Sequence, residues 1–289
     1  MLLKPLGVKT GLCHTGDMKT ETSQDWVGAQ ATAAELLRQQ SGREAFHALV
    51  PPFGPQTLEQ AYTSQDAFVQ LQAAQRHTHV GGYKIAITTP AMRAFVGFDD
   101  AISGCVLADT VFSNGKEVQA AQFQHLIVEF ELALQFGQDL PERDDDWDQH
   151  SILPYLECAY PSLEIADDRF ADYALLKQGF FSLVAENAWN HGVVLGSAIA
   201  AKDFDRLWQT QATACINNQA IGQGHCGDVM GHPLIAMAWI ANHLRSRGRR
   251  FKAGDWVTTG SWVASQFPLA GQTLRFEMPG LAEVTLVVC

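Results

Sequence analysis

The sequence predicts an α+β fold, a small helical N-terminal part followed by a larger β-rich part. Three observations point there. Apolar residues recur at three- and four-residue spacing through the first third of the chain. From Gly81 onward the pattern changes to alternation, broken by turn dipeptides such as Asn114-Gly115. The most strand-like stretch, LIVEFELALQF from Leu126 to Phe136, places two glutamates one residue apart.

The elements follow in order. Trp26, Ala29, Ala33 and Leu37 share a helical face, with Asp25 near its start. Val50-Pro51-Pro52-Phe53-Gly54-Pro55 is a break that no helix or central strand tolerates. A second amphipathic helix carries Leu58, Ala61, Tyr62, Gln65, Phe68 and Leu71 on one face and ends between Arg76 and His79. GGYKIAITT then reads as a strand opened by two glycines, and VLADTVFSNGKEVQ as a hairpin about Asn114-Gly115. ATACINNQAIGQG repeats the hairpin pattern with Asn217-Asn218 as its turn. A short helix follows the acidic run Glu142–Asp148 and carries Ile152, Tyr155 and Leu156; another follows Gly231-His232-Pro233 and carries Leu234, Met237, Ile240 and Leu244. DWVTTGSWV and TLRFEMPGLAEVTLVV close the chain as alternating strands. The expected divisions are a flexible extension at 1–22, a helical subdomain at 23–80 and a β-rich catalytic domain at 81–289. Met18 is a candidate start, which would make the first seventeen residues an unstructured extension.

Composition narrows the function classes. A chain of 289 residues with 47% hydrophobic and 18% charged content has enough apolar surface for one substantial core and a smaller subdomain. A formal charge of -11 argues against nonspecific binding to nucleic acid or an anionic membrane. No apolar run approaches the ~20 residues of a spanning helix, and the N-terminus lacks the apolar centre of a signal peptide. The six cysteines are scattered with no CxxC pair, as expected of reduced thiols in a cytoplasmic protein.

Within the strand, Glu129 and Glu131 point to one face while Val128, Phe130 and Leu132 point to the other. Two like charges so placed repel, and burial sharpens the penalty. A hard divalent cation such as magnesium or manganese removes the conflict, whereas an exposed Glu-x-Glu edge needs no ion. Two further segments add to the pair: Ser162–Arg169, delivering Asp167 and Asp168, and Gly82-Tyr83-Lys84-Ile85, where Lys84 stands among apolar neighbours. A buried lysine needs a counter-charge or an anionic ligand.

Six segments in one order, GGYKIAITTPAM, VEFELAL, SLEIADDRF, ENAWNHGVVLGS, GHPLIAMAWIANHL and KAGDWVTTGS, give the chain a wider likeness. From about Trp26 to the C-terminus it resembles the 2-keto-4-pentenoate hydratase and 4-oxalocrotonate decarboxylase group of the fumarylacetoacetate hydrolase-like superfamily. The resemblance implies a mixed β-roll of the fumarylacetoacetate hydrolase C-terminal type, a homo-oligomer, and one Mg2+ or Mn2+ ion on Glu129, Glu131 and Asp167. It makes Lys84 catalytic and places the substrate against Thr88, Asn187, Gly260 and Ser261. The expected activity is that of a lyase adding water to a small 2-hydroxydienoic or 2-oxo-enoic acid in aromatic-compound breakdown. A 2-oxo acid can chelate a cation through its carboxylate and 2-oxygen, so the cation acts as Lewis acid and template.

The chain departs from the family pattern in places. In Asp100-Ala-Ile-Ser-Gly104 the apolar Ile102 stands where hydratases carry an acid, a feature closer to the decarboxylases of vinylogous 2-oxo acids. Leu126 and Ile127 replace a proline and a basic residue, and Trp189 and Asn190 replace small hydroxyl residues. His191 becomes the candidate replacement acid or base. Carbon–carbon bond hydrolysis and a noncatalytic oxo-acid binder are the other readings. His225, Cys226 and His232 have spacings unlike a zinc site, Gly260-Ser261 lacks the GxSxG elbow, and the acidic run lacks an EF-hand's glycine and terminal glutamate.

Overall fold

The structure, a computed structural model, describes residues 26–289. The expected extension at 1–22 and the start at Met18 lie outside the described residues. The chain opens with α1 (Ala29–Ser41) and α2 (Leu58–Arg76), followed by β1 (Val80–Ala86), α3 (Pro90–Val96) and β2 (Ile102–Leu107). Two three-residue strands, β3 (Val111–Ser113) and β4 (Lys116–Val118), precede the long β5 (Leu126–Phe136). Then come α4 (Gln149–Ile152), β6 (Leu156–Asp167), α5 (Phe180–Ala185), β7 (Asn190–Leu195) and β8 (Ile199–Ala200). The last third holds α6 (Phe204–Trp208), β9 (Gln211–Ile216), β10 (Gln219–His225), α7 (Pro233–Ser246), β11 (Trp256–Ser261), β12 (Thr273–Met278) and β13 (Ala282–Val288).

Two sheets result. The larger runs β2-β1-β11-β5-β6-β7-β3, with β8 added to β6; the smaller runs β10-β9-β12-β13-β4. Both mix parallel and antiparallel pairs: β1 runs parallel to β11 and antiparallel to β2, and β13 runs parallel to β4 and antiparallel to β12. The core lies between the sheets. Val128, Phe130 and Leu132 of β5 are fully buried there with Leu274 and Phe276 of β12 and Met237 and Ile240 of α7. The larger sheet curls until β2 and β7 come into contact, and its concave side is plugged at one end by Val106, Ala133, Val193 and Trp256. A flat sheet would hold β1 and β6, three ladder steps apart, roughly 14 Å from each other. Curling brings their side chains together.

The helical part shares its packing with the sheet part. Ala33 and Leu36 of α1, Phe68 of α2 and Ala185 of α5 form one apolar cluster. Gln65, on the apolar face of α2, is buried because its amide donates to the Ser103 and Val184 carbonyls at 2.9 and 2.8 Å. The Asn217-Asn218 hairpin forms as expected, joining β9 to β10 with both residues left-handed. The Asn114-Gly115 turn does not close a hairpin. β3 pairs with β7 and β4 with β13, because Thr285 binds the turn through Asn114 Oδ1 and the Gly115 N–H. The helix after the acidic run is capped by Asp148 and is short, and Leu156 begins β6 instead of extending it.

Candidate active site

The β5–β6 ladder sets the geometry of the acidic group. Glu129 pairs with Glu164 and Glu131 with Ser162, so three glutamates project from the same, concave face. One oxygen from each of Glu129, Glu131 and Glu164 lies within 4.8 Å of the others. Glu131 and Glu164 are fully buried and Glu129 partly so. Lys84 reaches them from β1, its Nζ donating to Glu164 Oε1 at 2.6 Å and to the Ala188 carbonyl at 3.1 Å. Burial works against the Lys84 charge, yet Glu164, Glu129 and Glu131 together hold its pKa above the ordinary lysine value. Glu131 is also raised, well above the usual carboxylate range, because it is buried beside Glu164 and Glu129. Burial also raises Glu164, against the pull of Lys84.

These residues fit a divalent ion. Glu131 Oε1 and Glu164 Oε2 are buried with no hydrogen-bond partner, an arrangement that costs free energy unless a cation is shared. Three carboxylates beside one ammonium leave two negative charges, the charge that one divalent ion neutralises. Second oxygens are tied in place. The Gly260 N–H donates to Glu131 Oε2 at 2.8 Å, and Ser265 Oγ donates to Glu129 Oε1 at 2.5 Å. Gly260 has φ +107°, and a Cβ there would stand 2.6 Å from Thr88 Oγ1, so only glycine fits.

Asp167 does not join the group. It lies three residues beyond Glu164 in the same strand and so faces the opposite way. Its oxygens accept backbone N–H groups of Gln124, His125 and Arg169 at 2.8, 2.9 and 3.0 Å. The geometry therefore replaces Asp167 with Glu164 among the clustered carboxylates. Strand alternation was the signal that would have found Glu164, which sits inside the SLEIADDRF segment.

A cavity of about 470 Å³ opens beside the cluster, lined by Lys84, Thr88, Glu129, Gly260 and Ser261 together with apolar groups. Ser261 faces it, but its hydroxyl accepts from the Phe130 N–H and donates to the Val263 carbonyl, both within 3 Å. Asn187 and His191 do not line it. Asn187 clamps β2, accepting from the Cys105 N–H and donating to the Cys105 carbonyl, each at 2.7 Å. His191 turns away, its Nδ1 3.1 Å from the Trp189 carbonyl and its ring against Phe123. Its neighbour Asn190 points inward instead and donates to Glu164 Oε1 at 3.1 Å. Asn187, Ala188 and Trp189 are successive left-handed residues, a strained turn that carries the Ala188 carbonyl bound by Lys84. No sequence signal marks it. Ile102 is fully buried in the apolar cluster, and Asp100 accepts from Trp239 Nε1 at 2.9 Å.

The other candidates are absorbed by structure. His225 and His232 use Nδ1 to cap the Gly227 and Leu234 N–H groups. His125 stacks between Phe170 and Phe267 and shares Asp168 with the Tyr173 hydroxyl.

Curled sheet, clustered carboxylates and buried lysine together define the class of protein, a β-roll of the fumarylacetoacetate hydrolase type. In architecture it is similar to 4-oxalocrotonate decarboxylase from Pseudomonas putida G7, solved with magnesium and adipate. The TM-score is 0.81 at 21% identity, covering 90% of this chain and 97% of that one. No family model matches the chain. It is 30% identical over 258 residues to 2-keto-4-pentenoate hydratase of Paraburkholderia phymatum, covering 88% of this chain and 95% of the relative. It is 24% identical over 239 residues to a 4-oxalocrotonate decarboxylase of Pseudomonas putida, covering 83% and 88%. The chain belongs to the 2-keto-4-pentenoate hydratase family. Among the described residues no helix is long and apolar enough to cross a membrane.

Proposed function

We propose that this protein is a lyase dependent on a divalent cation, magnesium or manganese, that adds water to a small 2-hydroxydienoic or 2-oxo-enoic acid. The observation that carries the reading is the buried trio Glu129, Glu131 and Glu164, with two carboxylate oxygens lacking any protein partner. These three residues would hold the ion, which supplies Lewis-acid polarisation of the bound oxo acid.

The chain's own residues do the rest. Lys84 Nζ has three N–H donors, and two are used by Glu164 and Ala188. The third is left for the substrate, where Lys84 holds or passes the proton at the 2-oxygen. Gly260 and Ser265 keep Glu131 and Glu129 from swinging away, and the Thr88 side chain against Gly260 keeps that backbone N–H in place. The apolar wall excludes water from the charged end and strengthens each interaction there.

Decarboxylation of a vinylogous 2-oxo acid is the second reading, favoured by the apolar Ile102. Product analysis with 2-hydroxypenta-2,4-dienoate and 2-oxo-3-hexenedioate, with magnesium present, separates them. Hydration yields a 4-hydroxy-2-oxo acid and decarboxylation releases carbon dioxide. Both substrates returned unchanged would remove the enzymatic reading and leave an oxo-acid binder.

A further inference from the structure

The wall of the cavity away from the carboxylates carries information about the substrate's other end. Ile87, Met92, Val96, Leu176, Leu183 and Trp189 line it, drawn from α3, α5 and the loops beside them. Among the lining residues Lys84 is the one cation, and its ammonium is held by Glu164 and Ala188. The other charged residues of the lining are Glu129 and the exposed Asp228, both acidic.

Nearby cations lie outside the lining. The Arg93 guanidinium donates to the Ile87 and Thr88 carbonyls, both at 3.3 Å, and does not line the cavity. Arg169 is bound to Glu186 Oε2 and to the Glu44 carbonyl, each at 2.7 Å. Lys177 packs its aliphatic stem against Gly97.

Resting on the 2-oxo acid reading above, we infer that this pocket selects substrates with a single carboxylate and an extended apolar tail, and rejects acids carrying a second carboxylate at the far end. A distal carboxylate would be desolvated against apolar side chains, in a lining that offers it no free cation and two acids, Glu129 and Asp228. An apolar tail meets the opposite fate, each buried methylene strengthening binding by about fourfold. A volume of about 470 Å³ falls within the usual range of ligand pockets, about 300–1,000 Å³. That is more than a five-carbon acid fills.

Saturated 2-oxo acids test this without turnover. The full chain with magnesium is titrated with 2-oxobutanoate, 2-oxooctanoate and 2-oxooctanedioate, and binding is followed by calorimetry and by the fluorescence of Trp189 and Trp262, which line the cavity. The expected result is 2-oxooctanoate binding at least tenfold tighter than either of the others. The diacid binding as tightly as the monoacid, or no gain from the longer tail, would overturn the inference while leaving the 2-oxo acid reading intact. Binding of none of the three would instead remove that reading, and the inference with it. In a second arm, Met92→Arg places a cation on the exposed helix α3 at the cavity wall. Affinity for 2-oxooctanedioate should rise at least tenfold, and an unchanged value would reject this wall as the seat of the tail.

Discussion

Replacing Glu164 and Asp167 in turn separates the two possible ligand sets. At 4.8 Å and an effective dielectric of about 20, two ionised carboxylates repel by about 3.5 kcal/mol. Glu164 takes part in two such contacts, about 7 kcal/mol together, and in one ion pair with Lys84 at 2.6 Å, about 6 kcal/mol on the same scale. Glu164→Gln removes both, so the metal-free protein should change stability by no more than about 2 kcal/mol. Its response to metal should vanish. Ion at one hundred times its dissociation constant stabilises the folded state by about 2.7 kcal/mol, or about 5–10 °C in Tm for a chain of this size. A hundredfold weaker site erases nearly all of that.

Asp167→Asn should do the reverse. The aspartate accepts three backbone N–H groups from Gln124, His125 and Arg169. An amide turns its own N–H groups against at least one of them, a loss of about 2–3 kcal/mol. The metal-free Tm should fall by about 5–10 °C, while the shift on adding magnesium persists. Differential scanning calorimetry with EDTA and with saturating magnesium reads both quantities. Retained metal response in Glu164→Gln, with loss of it in Asp167→Asn, would refute the geometric reasoning and restore Asp167 as the third ligand.

Two further outcomes follow from the same structure. Lys84→Met should keep the magnesium-induced Tm shift but lower kcat about 100- to 10,000-fold, as for loss of a proton-transfer group; stopped-flow turnover near the wild-type rate would end its catalytic role. His243, stacked on Trp239 and tilted against Tyr62, has its pKa held at about 4 by burial and then by Arg247. The unfolded chain takes up a proton below about 6.5 that the folded one refuses until about 4. This contribution is therefore complete above pH 6.5 and is lost as pH falls toward 4. His243→Phe should flatten that slope, gaining about 1–2 kcal/mol over wild type between pH 7 and pH 5 in chemical denaturation, and parallel pH profiles would discount the linkage.

Much of the architecture was legible because it depends on local periodicity. The helical face of α2 reads directly from residues three and four apart, and β5 runs over the same eleven residues, Leu126–Phe136, that alternation marks. The pairing of Glu129 with Glu131 on one face needs nothing but the pleat of a strand. Other features need the partner strand. Only the β5–β6 register places Glu164 opposite Glu129 and turns Asp167 toward backbone amides. The Asn114-Gly115 turn has a strong hairpin signal, yet its flanking strands find partners in different sheets.

The sequence by itself therefore determined the α+β class, the glutamate pair and the buried lysine, since each follows from spacing within a few residues. Tertiary structure alone decided which third carboxylate completes the group, why Asn187 and His191 face away from the cavity, and that Lys84 reaches β6 from β1. Those outcomes arise from the curl of the larger sheet and the register across it, which bring together residues such as Glu129 and Glu164, 35 positions apart, and Glu131 and Gly260, 129 positions apart.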